Sequence, residues 1–200
     1  IKYAVNESDT FIEIATTRPE TMLGDTAIAV NPNDSRYKAL IGKTALLPLV
    51  GRRIPIIADD MVDPEFGTGC VKITPAHDLN DYEVGIKHNL EIINIMNADS
   101  SISDKAPKKY RGMSRETARK QIVSDLKDIN HLIKEEDYLH KVGYSERGNV
   151  PIEYYLSEQW FLKMENLAKP ANDAVRNKEI NFYPNHWVKT YNHWMDNIQD

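Results

Sequence analysis

The 200-residue sequence is 41% apolar and 28% charged, a composition that is ordinary for a globular chain of one or two domains. No apolar run approaches the roughly 18 residues that a membrane span requires, and the first residues, IKYAVNESDT, lack the basic region and cleavage pattern of a secretion signal. The single cysteine, Cys70, excludes an internal disulfide and a multi-cysteine zinc site, and a net charge of −5 argues against a protein that coats nucleic acid without specificity.

These features favour a protein of the reducing cytoplasm that has no membrane partner. The chain also lacks an initiator methionine and ends abruptly at NIQD. We therefore expect it to be a piece of a larger protein.

The N-terminal part of the chain predicts short β-strands. Residues 11–15 alternate between apolar and polar side chains, and residues 25–30, 45–50 and 53–58 are rich in aliphatic side chains and bounded by turn residues. Prolines in the last two segments predict sheet edges or bulges there.

Residues 70–74 form the most informative predicted strand. A period of two puts Val71 and Ile73 on one face and Cys70, Lys72 and Thr74 on the other. One face therefore belongs to the core, while the other is available for chemistry.

The rest of the chain predicts helices and extended segments. Residues 80–89 have the composition of a short helix, residues 132–144 are typical of extended chain, and residues 156–176 favour a helix. Ser114 is a good N-cap for a further helix whose apolar positions recur at a spacing of four: Ala118, Ile122 and Leu126.

The composition changes at SERGNVP, which we interpret as a domain boundary. All three tryptophans follow it, at Trp160, Trp187 and Trp194. They predict either packing against a partner surface or a core that belongs to the tail itself.

The segment ATTRPETMLGDTA groups three hydroxyls around a sharp Arg-Pro turn. Thr17 and Glu20 have the spacing of a capping box. Alternatively, Thr16, Thr17 and Thr21 beside Arg18 suit a pocket that holds a polar, anionic ligand and supplies no strong nucleophile.

The segment KITPAHDLND carries a cation, a hydroxyl, an imidazole and two carboxylates. Asp78 can cap the helix that follows, but capping does not account for Asp81 as well. His77 and the two aspartates lack a further cluster of metal ligands, so we predict no metal site. Cys70 and His77 could form a nucleophile and its base, although a cysteine in a strand is more often a small buried residue.

Together, ATTRPETMLGDTAIAVNP and GTGCVKITPAHDLNDYEVG resemble the paired signature segments of the editing domain inserted into class I valyl-tRNA synthetases. The tail, from LSEQWFLKM to INFYPNHWVKTYNHWMDNIQD, resembles the segment by which such a chain returns to its synthetic domain. Isoleucyl and leucyl enzymes share similar frames, but the KITPAHD run looks like the valyl version. No HIGH-like or KMSKS-like ATP motif occurs. Use of ATP therefore belongs to the missing synthetic domain, and we expect no cofactor in this chain.

The resemblance implies a mixed α and β fold, with a closed barrel-like β core and peripheral helices, followed by a helical return segment. It divides the chain into an editing domain at 1–146 and a truncated return segment at 147–200. Some relatives place metal-binding cysteines before the return segment, but Ser145 stands in that region here. We expect a monomer whose partners are the 3′ end of tRNA(Val) with its aminoacyl ester and the rest of the parent synthetase.

The activity that the resemblance implies is hydrolysis of threonine mischarged on tRNA(Val), by a positioned water. Threonine and valine are nearly isosteric, so the apolar synthetic site of the valyl enzymes rejects threonine only weakly. A second site must therefore accept threonine and exclude valine. Asp81 would pair the α-ammonium of the substrate, while Lys72, Thr74 and Asp78 would recognise the threonine side chain. His77 would contribute polarity rather than act as a general base.

Two groups of residues would hold the tRNA. Arg18 and the hydroxyls of Thr16, Thr17 and Thr21 would hold the terminal adenosine and its phosphate, or orient the water. A basic stretch at 105–120, in which Glu116 is the one acidic residue, suits contact with tRNA phosphates. It equally suits a solvated helix face. Its basic residues are Lys105, Lys108, Lys109, Arg111, Arg115, Arg119 and Lys120.

Two alternatives remain open. An isoleucyl-type editing domain would clear valine, which a valyl-type domain must spare. A non-catalytic tRNA-binding module would retain the fold without hydrolysing an ester.

Overall fold

The computed structural model describes residues 1–6 and 10–200. The chain divides into two compact units, Ile1–Leu156 and Ser157–Asp200. None of the four α-helices in the described residues combines the length and the hydropathy that a bilayer crossing needs.

The first unit is mixed α and β. Its described residues form six strands: β1 Lys2–Val5, β2 Phe11–Glu13, β3 Ala27–Val30, β4 Thr44–Leu46, β5 Arg53–Ala58 and β6 Cys70–Ile73. They also form two α-helices, α1 Leu79–Lys87 and α2 Arg115–Asp128, and two 3₁₀-helices, Pro19–Gly24 and Lys38–Leu40. Short strands followed by helices confirm the order of elements that the sequence predicts.

The six strands form one curled sheet in the order β2-β1-β4-β5-β3-β6. The β3–β5 pair is parallel and the other pairs are antiparallel. Among the described residues the sheet is open, so the predicted closure of the barrel is not confirmed. The curl nevertheless brings the two edge strands together, because the Cys70 thiol on β6 donates a hydrogen bond of 2.9 Å to the Glu13 carbonyl on β2.

A continuous apolar core lies between the sheet and α2. Each strand contributes side chains at alternate positions, as Ile54 and Ile56 do on β5. The predicted stripe on α2 is fully buried in this core: Ala118, Ile122 and Leu126. Ser114 caps the helix as predicted, since its hydroxyl accepts a hydrogen bond from the Thr117 N–H. This burial is the main stabilising contribution of α2, because its other faces are polar.

Three local predictions differ from the structure. Arg18, not Thr17, is the N-cap residue of the first 3₁₀-helix, and that helix has no side-chain cap, so the capping box is wrong. Residues 132–144 form no named strand, and only an isolated bridge pairs Tyr144 with Pro151. The helix predicted at 156–176 begins at Glu165, because residues 157–164 lack regular structure.

The second unit contains α3 Glu165–Arg176 and α4 Trp187–Asp196, which pack against each other. Its tryptophans do not form a core of the tail. Trp160 is fully exposed, and Trp187 and Trp194 are 51% and 73% exposed. Within this unit the apolar side chains that would pack against a partner are therefore accessible.

Candidate active site

The polar face of β6 ends in a buried charged cluster. Lys72 Nζ lies 3.3 Å from Asp25 Oδ1 and donates a hydrogen bond of 2.5 Å to Thr74 Oγ1. The Thr74 hydroxyl in turn donates to Asp25 Oδ1 at 2.6 Å. The sequence placed Lys72 and Thr74 on one face of a strand, and the structure adds the carboxylate that joins them.

Register explains why Asp25 reaches this cluster. β3 pairs with β6 in antiparallel fashion from Ala27 opposite Ile73, and the ladder continues where the Thr26 N–H donates to the Ile73 carbonyl at 2.9 Å. Asp25 therefore lies beside Thr74 at the end of the strand pair. Its second oxygen accepts a hydrogen bond of 2.8 Å from the Tyr3 hydroxyl.

Burial governs the electrostatics of this cluster. Asp25 is fully buried, and burial raises its pKa, although the charge of Lys72 and hydrogen bonds from Thr74, Tyr3 and Lys72 act in the opposite direction. Burial and the negative charge of Asp25 raise the pKa of Tyr3 well above its ordinary value. A buried carboxylate is tolerated only when it is paired and hydrogen-bonded, and Asp25 meets both conditions.

Asp81 lies beside the cluster, on the first turn of α1. Its Oδ2 accepts a hydrogen bond of 2.8 Å from the Thr74 N–H, and the residue is only 7% exposed. Burial raises the pKa of Asp81 to about 6, against the charge of Lys72 and the Thr74 hydrogen bond. Asp81 is thus a buried carboxylate that ionises close to neutral pH.

Asp78 caps α1. Its Oδ1 accepts hydrogen bonds from the Asn80 and Asp81 N–H groups at 2.9 and 3.1 Å. The cap also orients Asp81, because it fixes the first turn of the helix on which Asp81 lies. Gly85 allows this helix to lie against Pro75, since a Cβ at that position would come within 2.8 Å of the proline ring.

His77 is buried and neutral at physiological pH. Burial, with the positive charges of Arg18 and Lys72, lowers its pKa to about 4. Its Nε2 accepts a hydrogen bond of 3.0 Å from the Ile95 N–H, which requires that nitrogen to be unprotonated. His77 therefore anchors the turn that joins β6 to α1.

The loop after β2 carries the segment ATTRPETMLGDTA, which we call the Thr-Arg-Pro motif. Thr16 Oγ1 accepts from the Arg18 N–H at 3.0 Å, and the Thr21 hydroxyl donates to the Arg18 carbonyl at 3.0 Å. Thr17 is exposed. Two of the three hydroxyls are therefore used within the loop, while Thr17 is open to solvent.

The Arg18 guanidinium connects the Thr-Arg-Pro motif to the turn between β6 and α1. Its Nη1 donates a hydrogen bond of 3.0 Å to the His77 carbonyl, and its Nη2 forms a salt bridge with Glu153. Its Nε lies 3.6 Å from Glu20. Arg119 binds Glu20 through two hydrogen bonds of 2.7 and 2.8 Å, and Arg115 forms a salt bridge with Glu153.

A third loop approaches the Thr-Arg-Pro motif. A Cβ on Gly67 would lie 4.0 Å from Ala15, so the two segments are neighbours. Gly69 has a φ of +76°, and a Cβ there would come within 2.9 Å of the Pro64 carbonyl and still closer to the Arg36 guanidinium, so only glycine fits. This loop leads directly into β6 and carries the exposed Phe66.

The structure thus brings most of the predicted residues together and adds others. Lys72, Thr74 and Asp81 form one contiguous group, while Asp78 and His77 support it from the adjoining turn. Four further residues have no role in the site predicted from the sequence, although Glu20 was predicted to cap a helix: Tyr3, Asp25, Glu20 and Glu153. Asp25 and Glu20 lie inside the Thr-Arg-Pro motif, so their charge was the available signal; nothing in the sequence distinguishes Tyr3 or Glu153.

Several side chains of the basic stretch are engaged within the protein. Lys109 forms a salt bridge of 2.7 Å with Asp125, and Arg111 donates to the Ala106 carbonyl at 2.8 Å. Arg115 and Arg119 pair with Glu153 and Glu20 as described. In the described residues no salt bridge involves the remaining three: Lys105, Lys108 and Lys120.

Within residues 1–6 and 10–200, no group of three or more His, Cys, Asp or Glu side chains is arranged to hold a metal ion. The side chains that the site does bring together are charged groups and hydroxyls. These groups can bind an ammonium ion and a hydroxyl and can orient a water molecule.

The chain is similar in sequence to valine–tRNA ligases. It is 58% identical over 200 residues to a valine–tRNA ligase of Clostridium tetani, covering 100% of this chain and 23% of that protein. A valine–tRNA ligase of Chlorobaculum tepidum is 57% identical over 189 residues, covering 94% of this chain and 21% of that protein. The chain thus spans less than a quarter of the length of these relatives.

Two solved structures share its fold. A leucyl-tRNA synthetase of Agrobacterium radiobacter K84, solved as a ternary complex with tRNA and LeuAMS, matches with a TM-score of 0.51 and 22% identity over 64% of this chain and 18% of that one. GlLeuRS-CP1 matches with a TM-score of 0.51 and 15% identity over 69% of this chain and 87% of that one.

The family model described as "Leucyl-tRNA synthetase, editing domain" matches residues 34–138, which are more than half of the chain. The matched residues include β6, α1 and the turn between them, which together carry Lys72, Thr74, Asp78 and Asp81. The chain belongs to this family of aminoacyl-tRNA synthetase editing domains.

Proposed function

We propose that this chain is the editing domain of a valyl-tRNA synthetase and that it hydrolyses the ester of threonine mischarged on tRNA(Val). The observation that carries the proposal is the buried cluster of Lys72, Thr74 and Asp25 with Asp81 beside it, in a chain of the editing-domain family. The complete synthetase attaches valine to tRNA(Val) with ATP in a synthetic domain that this chain does not include.

Selectivity follows from the polarity of the cluster. Lys72 and Thr74 recognise the threonine hydroxyl, and Asp78 supplies a further acceptor from the adjoining turn. A valine side chain offers these groups no hydrogen bond, so it forgoes the contact that the threonine hydroxyl makes, worth about 1–3 kcal/mol. The site therefore accepts threonine and spares valine.

Asp81 anchors the substrate. Its ionised carboxylate pairs with the α-ammonium of the aminoacyl ester and holds the ester in one orientation. The Thr74 N–H binds one oxygen of this carboxylate, which leaves the other for the ammonium group.

Water is the nucleophile. An aminoacyl ester is already activated, so a positioned water and a polarised carbonyl suffice without a protein nucleophile. His77 is not the general base, because its Nε2 is occupied by the Ile95 N–H and its imidazole is buried.

The 3′ end of the tRNA lies on the loop after β2. Thr16, Thr17, Thr21 and Arg18 hold the terminal adenosine or orient the water, and Thr17 is the hydroxyl with the greatest access to solvent among them. The wider partners are tRNA(Val) and the rest of the synthetase.

The proposal also covers the division of the chain, its assembly state and the closure of its sheet. Residues 1–146 form the editing domain and residues 147–200 the return segment, whose exposed tryptophans face the rest of the synthetase. The chain is monomeric and cytoplasmic. The barrel closes between β2 and β6, a closure supported by the Cys70 thiol bond to Glu13.

The test is deacylation of threonyl-tRNA(Val) and valyl-tRNA(Val) at high concentration of the chain, with Asp81→Ala beside it. We expect the wild-type chain to cleave the threonyl ester selectively. Asp81→Ala should cleave neither ester. Cleavage of the valyl ester in preference would instead identify the isoleucyl type. If neither ester were cleaved by the chain or by the longer protein that carries it, the non-catalytic tRNA-binding module would replace this proposal.

A further inference from the structure

Five side chains form a chain of alternating charge behind the candidate site. In order they are Arg119, Glu20, Arg18, Glu153 and Arg115. They come from three separate parts of the sequence: the loop after β2, the first half of α2, and residue 153. No local pattern in the sequence links them, so the fold alone assembles this chain.

Glu20 is the buried member of the chain. Its side chain is fully inaccessible to solvent, and Arg119 binds both of its oxygens in a bidentate arrangement. A bidentate guanidinium is the partner best suited to a buried carboxylate, because it satisfies both oxygens with fixed geometry. Arg119 thereby fixes the position of Glu20, which lies two residues after Arg18.

Arg18 stands at the centre, between the two carboxylates. Glu20 lies near its Nε and Glu153 near its Nη2, which leaves Nη1 to donate to the His77 carbonyl at 3.0 Å. That carbonyl belongs to the turn between Thr74 and Asp81. The orientation of Arg18 therefore determines where this turn is held.

We infer that Arg119, Glu20 and Glu153 are positioning residues for ester hydrolysis, which act through Arg18 on the turn that carries Asp78 and Asp81. This inference rests on the proposed function. None of the three forms a salt bridge with the cluster of Lys72, Thr74 and Asp25, and the route to the reaction that we propose for them runs through Arg18.

The competing role of Arg119 is a contact with tRNA phosphate, as its place in the basic stretch suggests. The geometry favours positioning, because two nitrogens of Arg119 are already committed to Glu20. Lys127, on the same helix but outside the basic stretch, is exposed and has the same charge, and no salt bridge among the described residues involves it. It provides a matched control for loss of charge on α2.

The experiment compares Arg119→Ala, Arg119→Lys and Lys127→Ala in deacylation of threonyl-tRNA(Val), with kcat and KM measured at several salt concentrations. Positioning predicts that Arg119→Ala lowers kcat by roughly tenfold to a hundredfold and leaves the salt dependence of KM unchanged. Arg119→Lys should recover part of the loss, and Lys127→Ala should leave kcat unchanged. A change confined to KM, with a smaller salt dependence, would overturn the inference in favour of phosphate contact.

A second measurement needs no substrate. Hydrogen–deuterium exchange should accelerate in peptides that cover residues 74–81 in Arg119→Ala and in Glu153→Gln, and should remain unchanged in Lys127→Ala. Unchanged exchange in both variants would overturn the inference even if the wild type is active. Conversely, faster exchange with no ester cleavage by the wild type would refute the proposed function while leaving the structural coupling intact. If Arg119→Ala fails to fold, Arg119→Lys and Glu153→Gln carry the same test.

Discussion

Thr74 donates its hydroxyl hydrogen to Asp25 across 2.6 Å, although 49 residues separate the two in sequence. This bond fixes the direction of the hydroxyl, and Lys72 donates to the same hydroxyl oxygen. In the proposed reaction the threonine side chain would meet a lysine and a threonine whose orientations are set by a carboxylate behind them. Asp25 would then support the recognition of a hydroxyl without contacting it.

Asp25→Asn should lower deacylation of threonyl-tRNA(Val) by roughly tenfold to a hundredfold, because a neutral amide lacks the charge that pairs with Lys72 and holds the Thr74 hydroxyl more weakly. Single-turnover deacylation measures the effect. Asp34→Asn is the control, since Asp34 is also a buried, salt-bridged aspartate but pairs with Arg36 instead. Equal rates in Asp25→Asn and the wild type would show that the cluster does not orient the substrate.

The rate of deacylation should rise with pH through about 6, the pKa to which burial raises Asp81. Only the ionised carboxylate pairs with the α-ammonium, so protonation below this pH removes the anchor. The measurement is a pH–rate profile corrected for spontaneous ester hydrolysis. In Asp81→Asn the profile should be low and flat; a wild-type profile that shows no inflection near 6 would argue against the anchor.

The same pKa shift predicts an opposite effect on stability. Because the folded protein binds the Asp81 proton more tightly than the unfolded chain, the stabilising contribution of this carboxyl is fully present below the unfolded pKa and is lost as pH rises through about 6. Asp81→Asn should therefore raise the free energy of unfolding at pH 8, by up to about 3 kcal/mol. Urea unfolding at pH 8 and pH 4 measures this, and a variant less stable at pH 8 would contradict it.

Thr74→Val should reduce threonyl ester cleavage and narrow the preference over the valyl ester, because the change removes a hydroxyl without changing the shape of the side chain. A loss of about 1–3 kcal/mol in transition-state binding is expected. The ratio of kcat/KM for the two esters measures the effect. Thr44→Val, which alters a hydroxyl that bonds to Asn6 away from the site, should leave the ratio unchanged. An unaltered ratio in Thr74→Val would remove Thr74 from recognition.

The unpaired lysines of the basic stretch should carry its contact with tRNA. Replacing Lys105, Lys108 and Lys120 by alanine should reduce the dependence of log K on log salt by about 0.7 to 0.9 for each tRNA phosphate that a lysine no longer neutralises. Filter binding of tRNA across a range of salt concentrations measures this slope. A triple alanine variant of Lys38, Lys43 and Lys127 removes the same charge elsewhere, and equal slopes in both triple variants would leave the stretch as a solvated face.

The sequence could predict those parts of the site that depend on local pattern. Alternation in β6 places Lys72 and Thr74 together, and Asp78 caps α1 as its spacing indicates. Asp25 and Tyr3 could not be predicted, because periodicity tells which face a side chain occupies but not which strand is its neighbour. The open sheet has the same cause: closure depends on whether β2 and β6 pair, and neither strand carries a local signal for that pairing.

Glu20 shows how a local pattern can mislead. Its distance from Thr17 predicted a cap, yet its carboxylate pairs with Arg119, which lies 99 residues away in sequence. A salt bridge to a bidentate arginine stabilises a fully buried carboxylate better than a bond to one backbone N–H does. The tertiary partner therefore prevails over the capping motif.

The ionic chain behind the site also dictates an order of events during translation. All the side chains proposed to contact the amino acid have been added once residue 81 is incorporated, but Glu20 gains its arginine only at residue 119 and Arg18 gains its second carboxylate only at residue 153. Domains fold as units while the ribosome extends the chain. On the proposed function, the nascent chain acquires the groups that contact the amino acid early and the salt bridges that hold them in place late, so we expect ester hydrolysis only after residue 153 has left the ribosomal exit tunnel.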